Sequence, residues 1–289
     1  MTSGSELVRT ISGSTRLYGI LGHPITHSLS PLMQTFAFQH HYLDAVYMPF
    51  PVPPTHLANA LAGAIALGIC GLNVTIPHKE AILPLLDEVS TEAEFIGAVN
   101  TIDIRDGRTI GYNTDGGGFL LPLQELRMSF ADTSACILGA GGAARAVTAA
   151  LLLAGCPELT LCNRTPERAH RLCEALRKRF PQAQINWAPF EHAATTARDH
   201  LLIVNTTAVG LHPGDPQLLP ETTFRPEHVV YDIVYRPLHT ELLQMAKRRG
   251  ATVVPGIEML IGQGAEAFRI WTDRTFPIPA IRHLVHPFI

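Results

Sequence analysis

The sequence predicts an α/β fold in two parts, an N-terminal α/β unit followed by a doubly wound parallel sheet. Three observations predict it. Short apolar runs of strand-like composition alternate with helical patterns along most of the 289 residues. A glycine-rich turn, Gly139-Ala140-Gly141-Gly142-Ala143-Ala144, joins one such run to a helix. A long helical pattern, Ile257 to Asp273, follows the last strand and can return to the first part. The length favours about two domains.

Taken in order, Leu17 to Leu21 reads as a strand ending at Gly22-His23-Pro24. Ser30-Pro31 starts a helix, with Ser30 capping the free N–H groups and Pro31 fitting the first turn. Ala45 to Phe50 reads as strand, Thr55 to Leu67 as an apolar-faced helix, and Ile69 to Thr75 as strand. Pro77 opens a helix carrying Lys79. Thr91 and Glu94 form a capping box for a short helix ending near Gly97. Val99 to Ile104 and Thr109 to Tyr112 flank Asp106-Gly107, a hairpin signal. Beyond Asp115, strands are expected at Ala135–Leu138, Leu159–Cys162, Ile185–Trp187, Leu201–Val204, Val229–Ile233 and Thr252–Val254. The expected units are a first domain at 1–114, a second at 115–255, and helices at 256–289 that pack back on the first.

Composition narrows the function. Hydrophobic residues make up 46% and charged residues 16%, below the ~25% typical of soluble domains, so a large core can be buried. A net charge of -3 gives no electrostatic case for nucleic acid or an acidic membrane surface. The five cysteines are scattered, without a C-x-x-C pair, which fits a reducing cytosol better than a disulfide framework. Met1 to Thr15 is polar and small, so export is not expected. Asn59, Gly63, Gly68 and Gly71 interrupt the most apolar segment and rule out a membrane span there. His23 and His27 are separated by Pro24 in a loop, so no metal site is expected.

The glycine turn carries the first functional signal. Gly139 permits a tight turn, Gly141 lets a pyrophosphate approach the backbone, and Ala144 lets helix and strand pack closely. Ala140, Gly142 and Ala143 complete the cradle, and the phosphates would meet N–H groups at the helix N-terminus. The strand before it and the helix after it distinguish it from a plain tight turn, so the second domain reads as a Rossmann-type dinucleotide-binding unit. The next strand ends at Asn163-Arg164-Thr165-Pro166-Glu167-Arg168, without the acid that usually binds a ribose hydroxyl. Arg164 and Arg168 can hold a 2′-phosphate, with Asn163 and Thr165 as neutral donors, which favours NADP over NAD. Arginines at a helix start are unfavourable without an anion.

Lys79 and Asp115 carry the second signal. Hydride transfer at a secondary alcohol needs a group that removes or returns the hydroxyl proton. Lys79 can do this, with Asp115 orienting it and bonding the reacting hydroxyl. Lys79 alone would be a solvated lysine; Asn73, Thr75, Asn100 and Asp115 in the neighbouring motifs set it apart. Asp115 can also cap the helix that begins with Gly116-Gly117-Gly118.

From about Tyr18 to the C-terminus, the chain resembles the shikimate dehydrogenase family. Gly22 to Pro31 is similar to that family's carboxylate-binding loop, which implies Ser28 and Ser30 as ligands. Gly71 to Lys79 resembles the catalytic motif, with Thr75 on substrate and Lys79 moving the proton. Gly97 to Thr101 supplies Asn100, and Gly111 to Asp115 supplies Asp115. Asn163 to Arg168 matches an NADP-type clamp, and Asn205 to Gly210 a cofactor-side loop. By the same resemblance Ile233 and Gly256 lie near nicotinamide, and Tyr235 and Gln263 near substrate. Met33 stands where many members have His, and Glu258 where many have Gly. Met33 is expected to affect packing, and Glu258 to narrow the nicotinamide end or join a salt bridge.

The resemblance implies a cytoplasmic, NADP-dependent enzyme of aromatic amino-acid (chorismate) biosynthesis, monomeric or homodimeric, interconverting 3-dehydroshikimate and shikimate. Ser28-x-Ser30 resembles shikimate enzymes more than quinate-preferring relatives. Rival readings are a paralogue for quinate or an aminated analogue, a non-enzymatic shikimate sensor, and a dehydrogenase of folate or tRNA-linked substrates. Intact Lys79 and Asp115 argue against the sensor. The Ser28/Ser30 loop is not needed for folate or tRNA-linked substrates.

Overall fold

The computed structural model describes residues 11–289. Of the stretch Met1–Thr15, expected to lack an export leader, residues 1–10 lie outside those described.

The first sheet is built from β1 (Arg16–Gly22), α1 (Ser30–His40), β2 (Ala45–Pro51), α2 (Leu57–Ala66), β3 (Gly71–Val74), β4 (Glu88–Val89), α3 (Thr91–Ile96), β5 (Thr101–Arg105) and β6 (Arg108–Tyr112). Its order is β2-β1-β3-β5-β6-β4. β1 runs parallel to β2 and β3, whereas β5 is antiparallel to β3 and β6. The β5–β6 hairpin turns at Asp106 and Gly107, both with positive φ (51° and 78°), as the Asp-Gly signal requires.

α4 (Asp115–Glu125) leads to the second sheet. There β7 (Ser134–Leu138), α5 (Gly142–Leu153), β8 (Glu158–Asn163), α6 (Pro166–Arg179), β9 (Gln184–Pro189), α7 (Ala193–Arg198), β10 (Leu202–Asn205), β11 (Val229–Asp232), α8 (Glu241–Arg248) and β12 (Thr252–Pro255) alternate. All six strands are parallel, in the order β12-β11-β10-β7-β8-β9. β7 and β10 are bare apolar runs because helices cover both faces. The strand order reverses between them, which opens the crevice where ligands bind in such sheets.

α9 (Ile257–Thr272) and α10 (Ile278–Val285) close the chain. Phe268, Trp271, Ile281 and Val285 share a core with Tyr18, Met33 and Phe38 of the first sheet and its helix. Trp271 packs over Gly71 and donates Nε1–H to the Ile102 carbonyl at 3.0 Å. Among the described residues no helix is long and apolar enough to cross a membrane.

Three local expectations change. Lys79 lies in a run of turns, not on a helix. Its carbonyl accepts the Val99 N–H at 2.8 Å and is lost to a helical ladder, and Pro84 supplies no N–H further on. The short helix is capped by Ser90, whose Oγ accepts from Ala93 N–H at 3.2 Å, so the cap sits one residue before Thr91. α1 begins at Ser30 as expected, but the Ser30 side chain caps nothing. Instead the Ser30 N–H donates to Ser28 Oγ at 3.2 Å.

α4 and α9 cross backbone to backbone. A Cβ on Gly118 would lie 2.3 Å from the Gln263 nitrogen, and one on Gly262 would lie 2.6 Å from the Gly118 oxygen. Glycine weakens a helix interior, and here the closeness of the crossing requires it. Replacing Gly118 by Ala should push the helices apart and lower the unfolding free energy by about 3 kcal/mol, read from urea melts. An unchanged midpoint would contradict this packing.

Candidate active site

Two segments far apart in sequence meet at one ion pair. Lys79 Nζ donates to Asp115 Oδ2 at 2.6 Å. The Val99 N–H fixes the backbone of Lys79. Asp115 opens α4, and its N–H donates to Asn113 Oδ1 at 3.1 Å. Its second oxygen accepts from Asn100 Nδ2 at 2.8 Å. The orientation of Asn100 is determined by its other end. Oδ1 accepts the Thr114 N–H (2.8 Å) and faces the hydroxyls of Thr101 and Thr114 (3.1 Å each). Asn73 Nδ2 donates to Thr101 Oγ1 at 3.0 Å, and Asn73 Oδ1 accepts the Tyr47 hydroxyl at 2.6 Å. Burial pushes the Tyr47 phenol well above its ordinary range, so it stays a donor. A buried network satisfied in this way holds one geometry.

The pair faces a cavity of about 390 Å³. Ser28, Ser30, Thr75, Asn100, Tyr235 and Gln263 line it, together with Lys79 and Asp115. Ala143, Ile233 and Gly256 line it from the side of the second sheet. Lys79 is the only Lys or Arg on its wall among the described residues. The Lys79 side chain is 30% exposed and that of Asp115 15%, so both stay open to a ligand. The Glu266 carboxyl packs against Gly117, two residues from Asp115. Burial first, then the charge of Glu92, pushes it up to about 7; Asp115 adds to the rise and Arg269 opposes it.

The glycine turn adjoins this cavity. Gly139 has φ +115°, and a Cβ there would strike Thr206 Oγ1 at 2.6 Å. Above Gly141 and Gly142 the space is open, and no side chain caps α5. The Arg145 N–H donates to the Gly141 carbonyl at 3.0 Å, and the N–H groups ahead of it have no partner within the helix and can meet an anion. Ala140, Gly141, Gly142 and Arg168 line a further cavity of about 380 Å³. Gly139, Asn163, Arg164 and Thr165 line neither cavity. Asn163 ends β8 beside the turn, and its Nδ2 donates to the Thr165 carbonyl at 2.8 Å. Among the described residues Arg164 and Arg168 form no ion pair. An open helix N-terminus beside two unpaired guanidinium groups suits a phosphorylated dinucleotide.

The chain is similar to known proteins in sequence and fold. Residues 20–102 match the model of the shikimate dehydrogenase substrate binding domain. Residues 123–210 match that of shikimate / quinate 5-dehydrogenase, and 256–286 the shikimate 5'-dehydrogenase C-terminal domain. The shikimate dehydrogenase (NADP(+)) of Moorella thermoacetica is 49% identical over 272 residues, covering 93% of this chain and 92% of that protein. The chain belongs to the shikimate dehydrogenase family. The Methanopyrus kandleri member, also a shikimate dehydrogenase (NADP(+)), is 43% identical over 280 residues, covering 96% and 97% of the two chains. The Thermus thermophilus shikimate 5-dehydrogenase, solved with NADP(H) and shikimate, superposes with a TM-score of 0.85 at 40% identity, covering 95% of this chain and 100% of that one.

The two departures from the family pattern resolve in packing. Met33 is fully buried in the first core. Glu258 pairs with Arg282 at 2.7 Å, so the carboxylate is tied to α10; Arg282 also pairs with Glu125 on α4. Among the described residues no group of three His, Cys, Asp or Glu side chains could hold a metal ion.

Sequence reasoning missed the supports Thr101, Thr114 and Tyr47, and the cavity-lining Arg145 and Arg171. Thr101 and Thr114 stood inside quoted motifs, where a second short polar residue was the available signal; Tyr47 gave none. Asp232, at the end of β11, is a further support. It is fully buried and accepts from Asn205 Nδ2 (2.9 Å), the Val234 N–H (3.0 Å) and the Thr240 hydroxyl (2.6 Å). It thereby ties the ends of β10 and β11 together beside Ile233.

Burial raises the Asp232 carboxyl from 3.8 to about 6. The folded state therefore binds the extra proton between those values. The stability this contributes is complete below pH 3.8 and is lost as pH rises through about 6. Asp232→Asn keeps an acceptor for Asn205 and Val234 and turns its amide to the Thr240 oxygen. Between about pH 4 and about pH 7 its unfolding free energy should fall by on the order of 3 kcal/mol less than the parent's. Chemical denaturation at both values tests this, and parallel profiles would refute it.

Proposed function

We propose that the protein reversibly reduces 3-dehydroshikimate to shikimate with NADPH. The observation that carries this is the Lys79–Asp115 pair, held at 2.6 Å on the lining of a cavity that Ala143, next to the glycine turn, also lines. The names of its relatives, shikimate dehydrogenase (NADP(+)), agree with it. Three units share the work: 1–114 for substrate, 115–255 for NADP, and 256–289 closing the substrate side. The two separate sheets support this division.

Each residue then has a chemical role. Bound NADPH supplies the hydride. Gly139 to Ala143 receive the pyrophosphate, while Asn163, Arg164, Thr165 and Arg168 hold the 2′-phosphate. Ile233 and Gly256 flank the nicotinamide. The Ser28 and Ser30 hydroxyls donate hydrogen bonds to the substrate carboxylate. Thr75, Asn100, Tyr235 and Gln263 pair with ring hydroxyls, and such pairing rejects analogues that lack them. The Lys79 ammonium gives its proton to the oxygen of the carbonyl being reduced, and in reverse the amine takes it back. Asp115 keeps Lys79 aimed at that oxygen and hydrogen-bonds the same hydroxyl. Asn100 and Thr114 keep Asp115 from turning away. The scattered cysteines, all free thiols, support a cytoplasmic location. The reading includes a monomer or homodimer.

Lys79→Ala should lower turnover by roughly 10²–10⁴-fold in NADP-linked shikimate oxidation, while calorimetric shikimate affinity changes by less than about tenfold. Near-normal turnover removes Lys79 from the mechanism. Efficiency with quinate equal to that with shikimate overturns the substrate assignment, and a preference for NAD overturns the cofactor assignment.

A further inference from the structure

The cavity over the glycine turn is walled from both halves of the molecule. Gly97 and Ala98 come from the first, and Gly141, Gly142, Arg145 and Arg168 from the second. Arg145 sits in the first turn of α5. A cation at that end of a helix opposes the macrodipole unless an anion lies beside it. Glu80 shares the cavity, yet Arg145 forms no ion pair among the described residues. Its guanidinium crosses instead to the first half, where Nη1 donates to the Ile96 carbonyl at 3.3 Å. Ile96 ends α3, a helix terminus with carbonyls to satisfy.

The backbone beyond Ile96 leads straight to the catalytic pair. The Ala98 carbonyl accepts from Asn113 Nδ2 at 3.0 Å. The Val99 N–H holds the Lys79 carbonyl at 2.8 Å. Asn100 holds the Asp115 carboxylate at 2.8 Å. One short segment thus has Arg145 at its start and both members of the pair further along.

We infer that Arg145 is a positioning residue linking cofactor occupancy to the catalytic pair. Its fork holds a phosphate oxygen of the dinucleotide and the Ile96 carbonyl together, and segment 96–100 passes that hold to Lys79 and Asp115. A guanidinium has donors for two acceptors in a fixed plane; a lysine in its place can meet the phosphate as a point charge but cannot hold both. By linkage, bound cofactor then strengthens shikimate binding, and shikimate strengthens cofactor binding by the same factor. The inference rests on the NADP-dependent dehydrogenase reading.

Calorimetry with NADPH and shikimate tests it, since both are reduced and no turnover follows. Shikimate affinity is measured with and without saturating NADPH for the parent, Arg145→Met and Arg145→Lys. The parent should gain at least about fivefold in shikimate affinity from NADPH. Arg145→Met should bind shikimate alone as the parent does, bind NADPH about tenfold or more weakly, and show no gain. Arg145→Lys should recover part of the NADPH affinity without the gain. The inference is overturned if the parent shows no gain, if the Met variant keeps it, or if the Lys variant restores it in full. A parent that binds neither ligand rejects the functional reading itself, and the inference with it.

Discussion

One carboxylate organises the site. Both Asp115 oxygens are engaged, one by Lys79 and the other by Asn100. Each partner is fixed elsewhere: Lys79 by its carbonyl on Val99, Asn100 by Thr101 and Thr114. Asp115 is also the first residue of α4, the helix that leaves the first sheet for the second. The ion pair therefore stands at the seam between the halves. Charge-assisted bonds of this length are about twice as strong as neutral ones, so the amine has one preferred direction.

A second constraint comes from the direction of the helices. Ser30 begins α1, Asp115 begins α4, Gly256 precedes α9, and Ala143 lies in the first turn of α5. All four residues line the same cavity. Helix N-termini carry partial positive charge and free N–H groups. These helix starts add partial positive charge to a cleft in which Lys79, paired with Asp115, is the only Lys or Arg among the described residues. The α4–α9 crossing at Gly118 and Gly262 brings two of these helix starts close together.

Two buried networks divide the work between the halves. In the first, Tyr47, Asn73, Thr101 and Thr114 fix Asn100. In the second, Asp232, Asn205 and Thr240 tie together the strand ends that flank the cofactor side. Short polar side chains build both, because a buried donor or acceptor without a partner costs more than the bond it could make is worth. The acids that stay near the cleft, Glu92 and Glu266, are both pushed upward by burial.

Much of this protein could be read along the chain. The Asp106-Gly107 hairpin, the parallel strands of the second sheet and the turn at Gly139 follow from local rules: a dipeptide that accepts positive φ, apolar runs of strand length, and a glycine where no Cβ fits. The polar motifs around Lys79 and Asp115 were equally visible, because a site for a small polar acid needs many short donors. The rest depended on partners distant in sequence. Lys79 leaves the helical path because Val99 claims its carbonyl, Glu258 turns to Arg282, and Arg145 reaches Ile96. No window of neighbouring residues contains those partners. Local chemistry chose the elements and the reactive groups, and long-range hydrogen bonding chose where each group points.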